Sequence, residues 1–357
     1  RRLAEEIRSQ SWTPPHEPNL PARKKAPAPV RAELPNYRIP VVGRSKDLEE
    51  VLALFSGDDC RLVTVTGAGG AGKTRLAVEV AERATQFEEG AVFVSLVDVG
   101  SPTLVPAAIL GALGERAEAR GDPPSASGED HALRELVRHI TDRDLLIVLD
   151  NAEHLARDPR WLDALVRATS DPRFLVTSRQ EMGVPNETVY PIEGLECPPS
   201  DAAEGLTQFP AVQLFLQAAR RADARFAPSD GDMRAVAAIS RHLAGSPLAI
   251  ELAASWIRTL DCRAVEAEIA RSVDFLKTDR QLLPRRHRSL RAAFEGSWAL
   301  LDRDGRAAFR ALSIFRGGFT PESALRVAGV AVPALAARVA KSLLARRGAG
   351  RYEVVGV

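Results

Sequence analysis

Apolar positions change rhythm twice along this chain. Between Arg38 and about Gly205 they gather into the short runs LVTVT (62–66), AVFVSLV (91–97), LLIVLD (145–150) and FLVTS (174–178), with helix-like stretches such as Leu76 to Phe87 and His131 to Ile140 between them. An uninterrupted apolar run suits a strand buried on both faces, and strands alternating with helices suit parallel crossovers. Residues 37–205 are therefore expected to form an α/β unit, a parallel sheet with helices on both faces. From Pro210 a helical period takes over in AVQLFLQAARRA (211–222), MRAVAAISRHLAG (233–245) and LAIELAASWIRTL (248–260), which predicts an all-α helical subdomain over 206–285. LRAAFEGSWALL (290–301) and GRAAFRALSIF (305–315) continue as helices. A turn at RGGFTPE (316–322), helices over Ser323 to Ala328 and Ala334 to Ala345, and a glycine-turned hairpin in RRGAGRYEVV (346–355) follow. Helices closed by a hairpin predict a winged-helix domain over 286–357, truncated at its end.

Ahead of these units, residues 1–36 open with the short helical RRLAEEIRSQ and then repeat proline, which removes backbone donors and favours extended conformations. They read as an interdomain linker and the end of an upstream domain, so the sequence is expected to be part of something longer.

Composition narrows the partners. With 48 basic and 47 acidic residues the net charge is +1, so no global field draws the chain to nucleic acid or to a membrane surface. Cys60, Cys197 and Cys262 have no metal-ligand spacing and read as small buried hydrophobes of a reducing compartment. No apolar run approaches the ~20 residues that cross a bilayer, and a cytoplasmic location is expected.

The sharpest chemistry lies after the first strand-like run. Gly67-Ala68-Gly69-Gly70-Ala71-Gly72-Lys73-Thr74 fits G-x-x-x-x-G-K-[ST] and sits between a predicted strand and a predicted helix. In such a loop backbone N–H groups curl around phosphates, the lysine reaches the β and γ oxygens and the hydroxyl ligates Mg²⁺, while the helix start adds its positive dipole end. Asp150 ends an apolar strand and suits the magnesium side of the same site; Asp150 or Asn151 as a helix N-cap is the competing reading. Arg179 ends the next strand, either to meet a γ-phosphate or to form a surface ion pair.

These motifs carry a resemblance. VVGRSKDLEEV (41–51), GAGGAGKTRLA (67–77), LLIVLDNAEHL (145–155), FLVTSR (174–179) and GSPLAIELAA (245–254) stand in the order and spacing of the STAND class of signalling P-loop ATPases, which includes the NB-ARC or AP-ATPase domains. ETVYPIEGL (187–195), RHRSLRAAFEGSWALLD (286–302) and FRGGFTPESAL (315–325) make the chain similar to the ATPase core of bacterial transcriptional regulators of the AfsR and LuxR types. The resemblance implies ATP or ADP with Mg²⁺ as cofactors. It implies that Val42, Gly43 and Arg44 wrap the adenine and that Gly67, Gly69, Gly70, Ala71, Gly72, Lys73 and Thr74, followed by Arg75, take the phosphates. Thr74 and Asp150 would hold the metal, Lys73, Asp150 and Arg179 would act on the reacting phosphate, and Pro247 would pack on the base or sugar; Pro247 also suits the first position of a helix.

Two departures shape the expected function. Many members carry two acids where this chain has Asp150-Asn151, and an amide cannot take a proton from water. Glu153 stands three residues on, as a substitute base or as a first-turn helix acid. No histidine near the end of the chain matches the one that contacts the β-phosphate in some eukaryotic members. Slow hydrolysis follows, and with it an ATP/ADP-operated switch at the core of a larger transcriptional regulator, self-associating in the ATP state. The alternative is a multiple-turnover ATPase or phosphotransferase, whose acceptor pocket and base are not concentrated in 206–285. The cations of PRRHRSLR (284–291), with Arg338, Lys341, Arg346 and Arg347, read as DNA-phosphate contacts or as solvated helix faces; DNA reading is expected mainly of a domain outside this chain.

Overall fold

The computed structural model describes residues 34–37, 39–57, 59–114, 128–200, 205–277, 289–315, 318–347 and 350–354. Helix α1 (Ser45–Leu54) leads into β1 (Leu62–Thr66), α2 (Lys73–Arg83), β2 (Ala91–Ser95), α3 (Val105–Ala112), α4 (Gly128–Ile140), β3 (Leu146–Asp150), α5 (Arg160–Ala168), β4 (Arg173–Ser178) and β5 (Glu187–Pro191). The five strands pair in parallel in the order β2-β3-β4-β1-β5.

Period-two alternation sorts the strand residues onto two apolar layers. Val63, Val65, Val148 and Leu175 pack with Leu76 and Val80 of α2 and with Leu48 and Val51 of α1. Leu62, Ile147, Phe174 and Val176 point the other way, toward α3, α4 and α5. Helices therefore cover both faces, as a sheet of continuous apolar strands requires.

The helical part comprises α6 (Pro210–Ala222), α7 (Asp230–His242), α8 (Pro247–Ala254) and α9 (Cys262–Arg271). Ser229 and Asp232 form a reciprocal cap at the start of α7, and Asp261 caps α9. Its core joins Val212, Phe215, Val236, Ile250 and Val265, and extends to Leu195 beyond the last sheet strand. The C-terminal part follows with α10 (Leu290–Ala299), α11 (Arg303–Leu312), α12 (Pro321–Ala328), α13 (Val332–Val339) and the antiparallel hairpin of β6 (Leu344–Arg347) and β7 (Arg351–Val354). Leu312, Phe319, Leu335 and Leu344 form its core.

Three details differ from the sequence reading. Strand β5 and helix α3 are additional elements. The helix expected over 334–345 ends at Val339, because the chain turns through Ser342 at φ 53 and Leu344 enters the hairpin. The cysteines are free, but only Cys262 is buried, with Cys60 and Cys197 half-buried. The proline-rich residues 1–33 lie outside the described residues. Among the described residues no helix is long and apolar enough to cross a membrane.

Candidate functional site

The glycine-rich loop joins β1, the strand between β4 and β5, to α2. Gly70 and Gly72 have φ of 84° and 98°, backbone that side chains resist, and Gly72 caps α2 so that the helix start faces the loop. Lys73 folds back across it, its Nζ donating to the carbonyls of Gly67 at 2.8 Å and Ala68 at 2.9 Å.

Strand order brings β4 between β1 and β3, so three polar side chains meet at the strand ends. Thr74 Oγ1 donates to Asp150 Oδ1 at 2.7 Å, and Thr177 Oγ1 donates to the same oxygen at 2.6 Å. Asp150 is only 2% exposed, so these donors offset the cost of burying its carboxylate. No helix begins at Asp150 or Asn151: turns follow β3, Asn151 adopts φ 69, and its N–H donates to Thr177 Oγ1. Thr177 joins the site with only one signal in the sequence, a polar position at the end of an apolar strand. Thr177→Val keeps the side-chain shape but removes both bonds, and is expected to cost about 1–3 kcal/mol in denaturant unfolding.

A cavity of about 550 Å³ opens above this cluster. Its wall includes the polar side chains of Lys73, Thr74, Thr177, Glu153 and Arg179 and the apolar ones of Val41, Val42, Leu214 and Leu252. The loop, the segment before α1, helices α6 and α8, and Ala293 of α10 all contribute to the wall. Helix α8 sits directly on the loop: Leu248 N–H faces the Gly70 carbonyl at 3.3 Å, and Pro247, the first residue of α8, lines the cavity.

The remaining expected residues divide. Val42, Gly69, Gly70, Ala71, Gly72 and Arg75 line the cavity. Gly43 and Gly67 are not on its wall. Gly43 is instead needed for close packing, since a Cβ there would lie 2.2 Å from Pro210 of α6, and Gly67 packs against Ile192. Arg44 reaches the wall but is 8% exposed and spends its guanidinium on the Ala71 and Glu193 carbonyls and on Asp47, bracing the loop. Arg75 stacks over Tyr37 at 4.4 Å and donates to the Ile39 carbonyl, which fixes the segment ahead of α1.

Arg179 is no surface ion pair. At 7% exposure its Nε donates to Glu153 Oε1 at 2.9 Å, and its Nη1 donates to the Ala293 carbonyl at 2.6 Å and to Ser297 Oγ at 2.8 Å, both on α10. Glu153, expected in the first turn of a helix, lies in the turns before α5 and is 9% exposed.

Of the cations read as DNA contacts or as solvated helix faces, Arg338, Lys341 and Arg291 have partners within the chain. Arg338 is 6% exposed and donates to the Asp304 and Ala334 carbonyls, and burial pushes its pKa down. Lys341 holds the Leu300 carbonyl at 2.9 Å, and Arg291 forms a two-pronged pair with Asp274. Arg346 is exposed, whereas 284–288 and the Arg347 side chain lie outside the described residues.

Comparison with known proteins places the site in context. A family profile described as an AAA domain matches residues 57–183. A putative HTH-type transcriptional regulator of Mycobacterium tuberculosis (strain ATCC 25618 / H37Rv) is 34% identical over 270 residues, which are 72% of this chain and 27% of that protein. An uncharacterized protein of the same strain is 33% identical over 80% of this chain and 68% of its own length. The regulatory protein AfsR of Streptomyces griseus is 30% identical over 95% of this chain and 33% of its own length. Among solved structures, the Aeropyrum pernix ORC2 protein (ADPNP-ADP complexes) aligns over 90% of this chain and 91% of its own at 14% identity and a TM-score of 0.48. The chain thus spans about a quarter to a third of the named regulators it matches.

Proposed function

Because the chain belongs to the P-loop ATPases related to AfsR-type regulators, we propose that its cavity binds ATP or ADP with Mg²⁺ and that the chain is the nucleotide-operated core of a longer transcriptional regulator. The observation that carries this reading is the shared wall. The glycine-rich loop, α6 and α8, and α10 all line one cavity, so a single nucleotide would touch the sheet unit, the helical unit and the C-terminal unit together.

The residues present fit that ligand. The volume lies within the ~300–1,000 Å³ of small-molecule sites. Lys73 would move from the Gly67 and Ala68 carbonyls to the β and γ oxygens, and the loop N–H groups would cradle the phosphates. Thr74 Oγ1 and Asp150 Oδ1 are hard oxygen donors of the kind magnesium takes, and they would hold an ion that neutralises phosphate charge when bound. Val42 would face the base and Pro247 the base or sugar.

We assign 37–205 as the NTPase domain, 206–285 as the helical subdomain and 286–357 as a winged helix. An amide at Asn151 removes the base directly after Asp150, and slow hydrolysis, hence a switch, follows when the proton must go to a residue further along. In this reading ADP holds the units closed and ATP opens them for self-association, which requires different affinities of the two states for the two nucleotides. DNA is then read by a domain outside this chain. X-ray scattering of protein saturated with each nucleotide tests the switch. A change in radius of gyration or in mass between ADP and ATP supports it; superimposable curves contradict it while leaving the binding site standing.

A further inference from the structure

The position that follows Asp150 cannot supply a general base. Asn151 is an amide, its backbone is left-handed, and its N–H is tied to Thr177. Asp150 spends Oδ1 on two hydroxyl donors. Among the described residues the carboxylates on the cavity wall are Glu153 and Glu251; Glu251 stands on the helical wall, ion-paired to Arg221 at 2.9 Å.

Glu153 has the geometry of a held base. It lines the same cavity as Lys73, Thr74 and Thr177 and is 9% exposed. Its Oε1 accepts from Arg179 Nε at 2.9 Å, whereas its Oε2 is buried with no hydrogen-bond partner among the described residues. A buried carboxylate oxygen left without a donor is costly, and a small turn of the carboxylate toward the cavity that Glu153 lines would give it a water donor. Arg179 is itself fixed by α10 and fits closely between glycines: a Cβ on Gly69 would lie 2.9 Å from its Nη1, and one on Gly296 only 2.7 Å. A base oriented by a third, immobilised group is the general arrangement of proton-transfer sites.

We propose that Glu153 is the catalytic residue that takes the proton of the attacking water in ATP hydrolysis, held in place by Arg179 and the docked helix α10. The assignment rests on the nucleotide reading of the cavity. The water oxygen bonds to the γ-phosphorus as the bond from that phosphorus to the β,γ-bridging oxygen breaks. The bridging oxygen leaves on ADP with the electron pair, and the water proton passes to Glu153 Oε2. Arg179 and Ser297 are positioning residues, so hydrolysis depends on α10 even though that helix belongs to another unit.

Single-turnover hydrolysis of ATP and the affinity for a fluorescent ADP analogue, measured on the same preparations, test the assignment. Glu153→Gln is expected to slow hydrolysis on the order of a hundredfold or more, leave ADP affinity unchanged, and leave bound ATP intact on the purified complex. Glu153→Asp keeps a charge opposite Arg179 and a proton acceptor, and recovers part of the rate. Ser297→Ala, which removes one acceptor of the Arg179 guanidinium, slows hydrolysis several-fold without changing ADP affinity. Hydrolysis at the unmodified rate in Glu153→Gln, or equal rates for the Gln and Asp variants, overturns the role of Glu153. Failure of the unmodified chain to bind the ADP analogue overturns the nucleotide reading itself.

Discussion

Lys73→Ala is expected to lose at least about a hundredfold in affinity for ADP and ATP, which corresponds to about 3 kcal/mol. The ammonium is the one lysine charge on the cavity wall among the described residues, and in the structure it folds across the loop onto two carbonyls instead of pointing to solvent. Phosphate oxygens would draw it from neutral partners to anionic ones, a charge-assisted exchange that alanine cannot make. Stability should change little, because the side chain is only partly buried and its present bonds are to carbonyls that water can also satisfy. A calorimetric titration with Mg-ADP measures the loss directly, and an unfolding curve on the same variant confirms that the fold is intact. Unchanged affinity in a folded Lys73→Ala protein removes the loop from the account.

Gly245→Ala is expected to destabilise the chain by at least about 3 kcal/mol and to weaken nucleotide binding with it. Gly245 has φ 67, but strain alone does not decide the outcome, since neighbouring Ala244 adopts φ 48 with a side chain. Contact decides it. A Cβ on Gly245 would lie 2.0 Å from the Leu195 carbonyl oxygen and 2.7 Å from its nitrogen, and Leu195 N–H is the donor to the Gly245 carbonyl at 2.8 Å. Gly194 is equally confined, with a Cβ position 2.0 Å from the Ala244 carbonyl oxygen. Neither backbone can withdraw without moving α8, whose Pro247 and Leu248 lie on the loop. Against a typical total stability of ~5–15 kcal/mol the loss is large. Stability in urea and affinity for ADP should fall together in the variant; a stable variant with weakened binding, or the reverse, would separate the Gly245–Leu195 contact from the site.

Much of this architecture is legible in the sequence, for physical reasons that also mark where legibility ends. β1, β3 and β4 are buried on both faces and so read as continuous apolar runs. β5 pairs at the sheet edge with half-exposed residues and ends in Pro191, so its pattern is diluted. VPAAILGA in α3 is apolar nearly all round and offers no helical period to detect. In the site, the loop spacing points to Lys73 and Thr74, and a carboxylate closing an apolar run points to Asp150. The partners of Arg179 do not show, because Ala293 and Ser297 stand more than a hundred positions away, brought to it by the docking of α10. Arg338 misleads for the same reason: an arginine on an amphipathic stretch reads as solvated until α11 packs over it.

The account turns on a bound nucleotide that is released and replaced slowly. Freshly purified protein is denatured, the released nucleotide is identified and counted by chromatography, and single-turnover hydrolysis of added ATP is followed on the same preparation. The account predicts close to one ADP per chain and turnover slower than about one per minute, far below the ~1–10 per second typical of enzymes. A nucleotide-free protein that consumes ATP steadily at such an enzyme-like rate would contradict it.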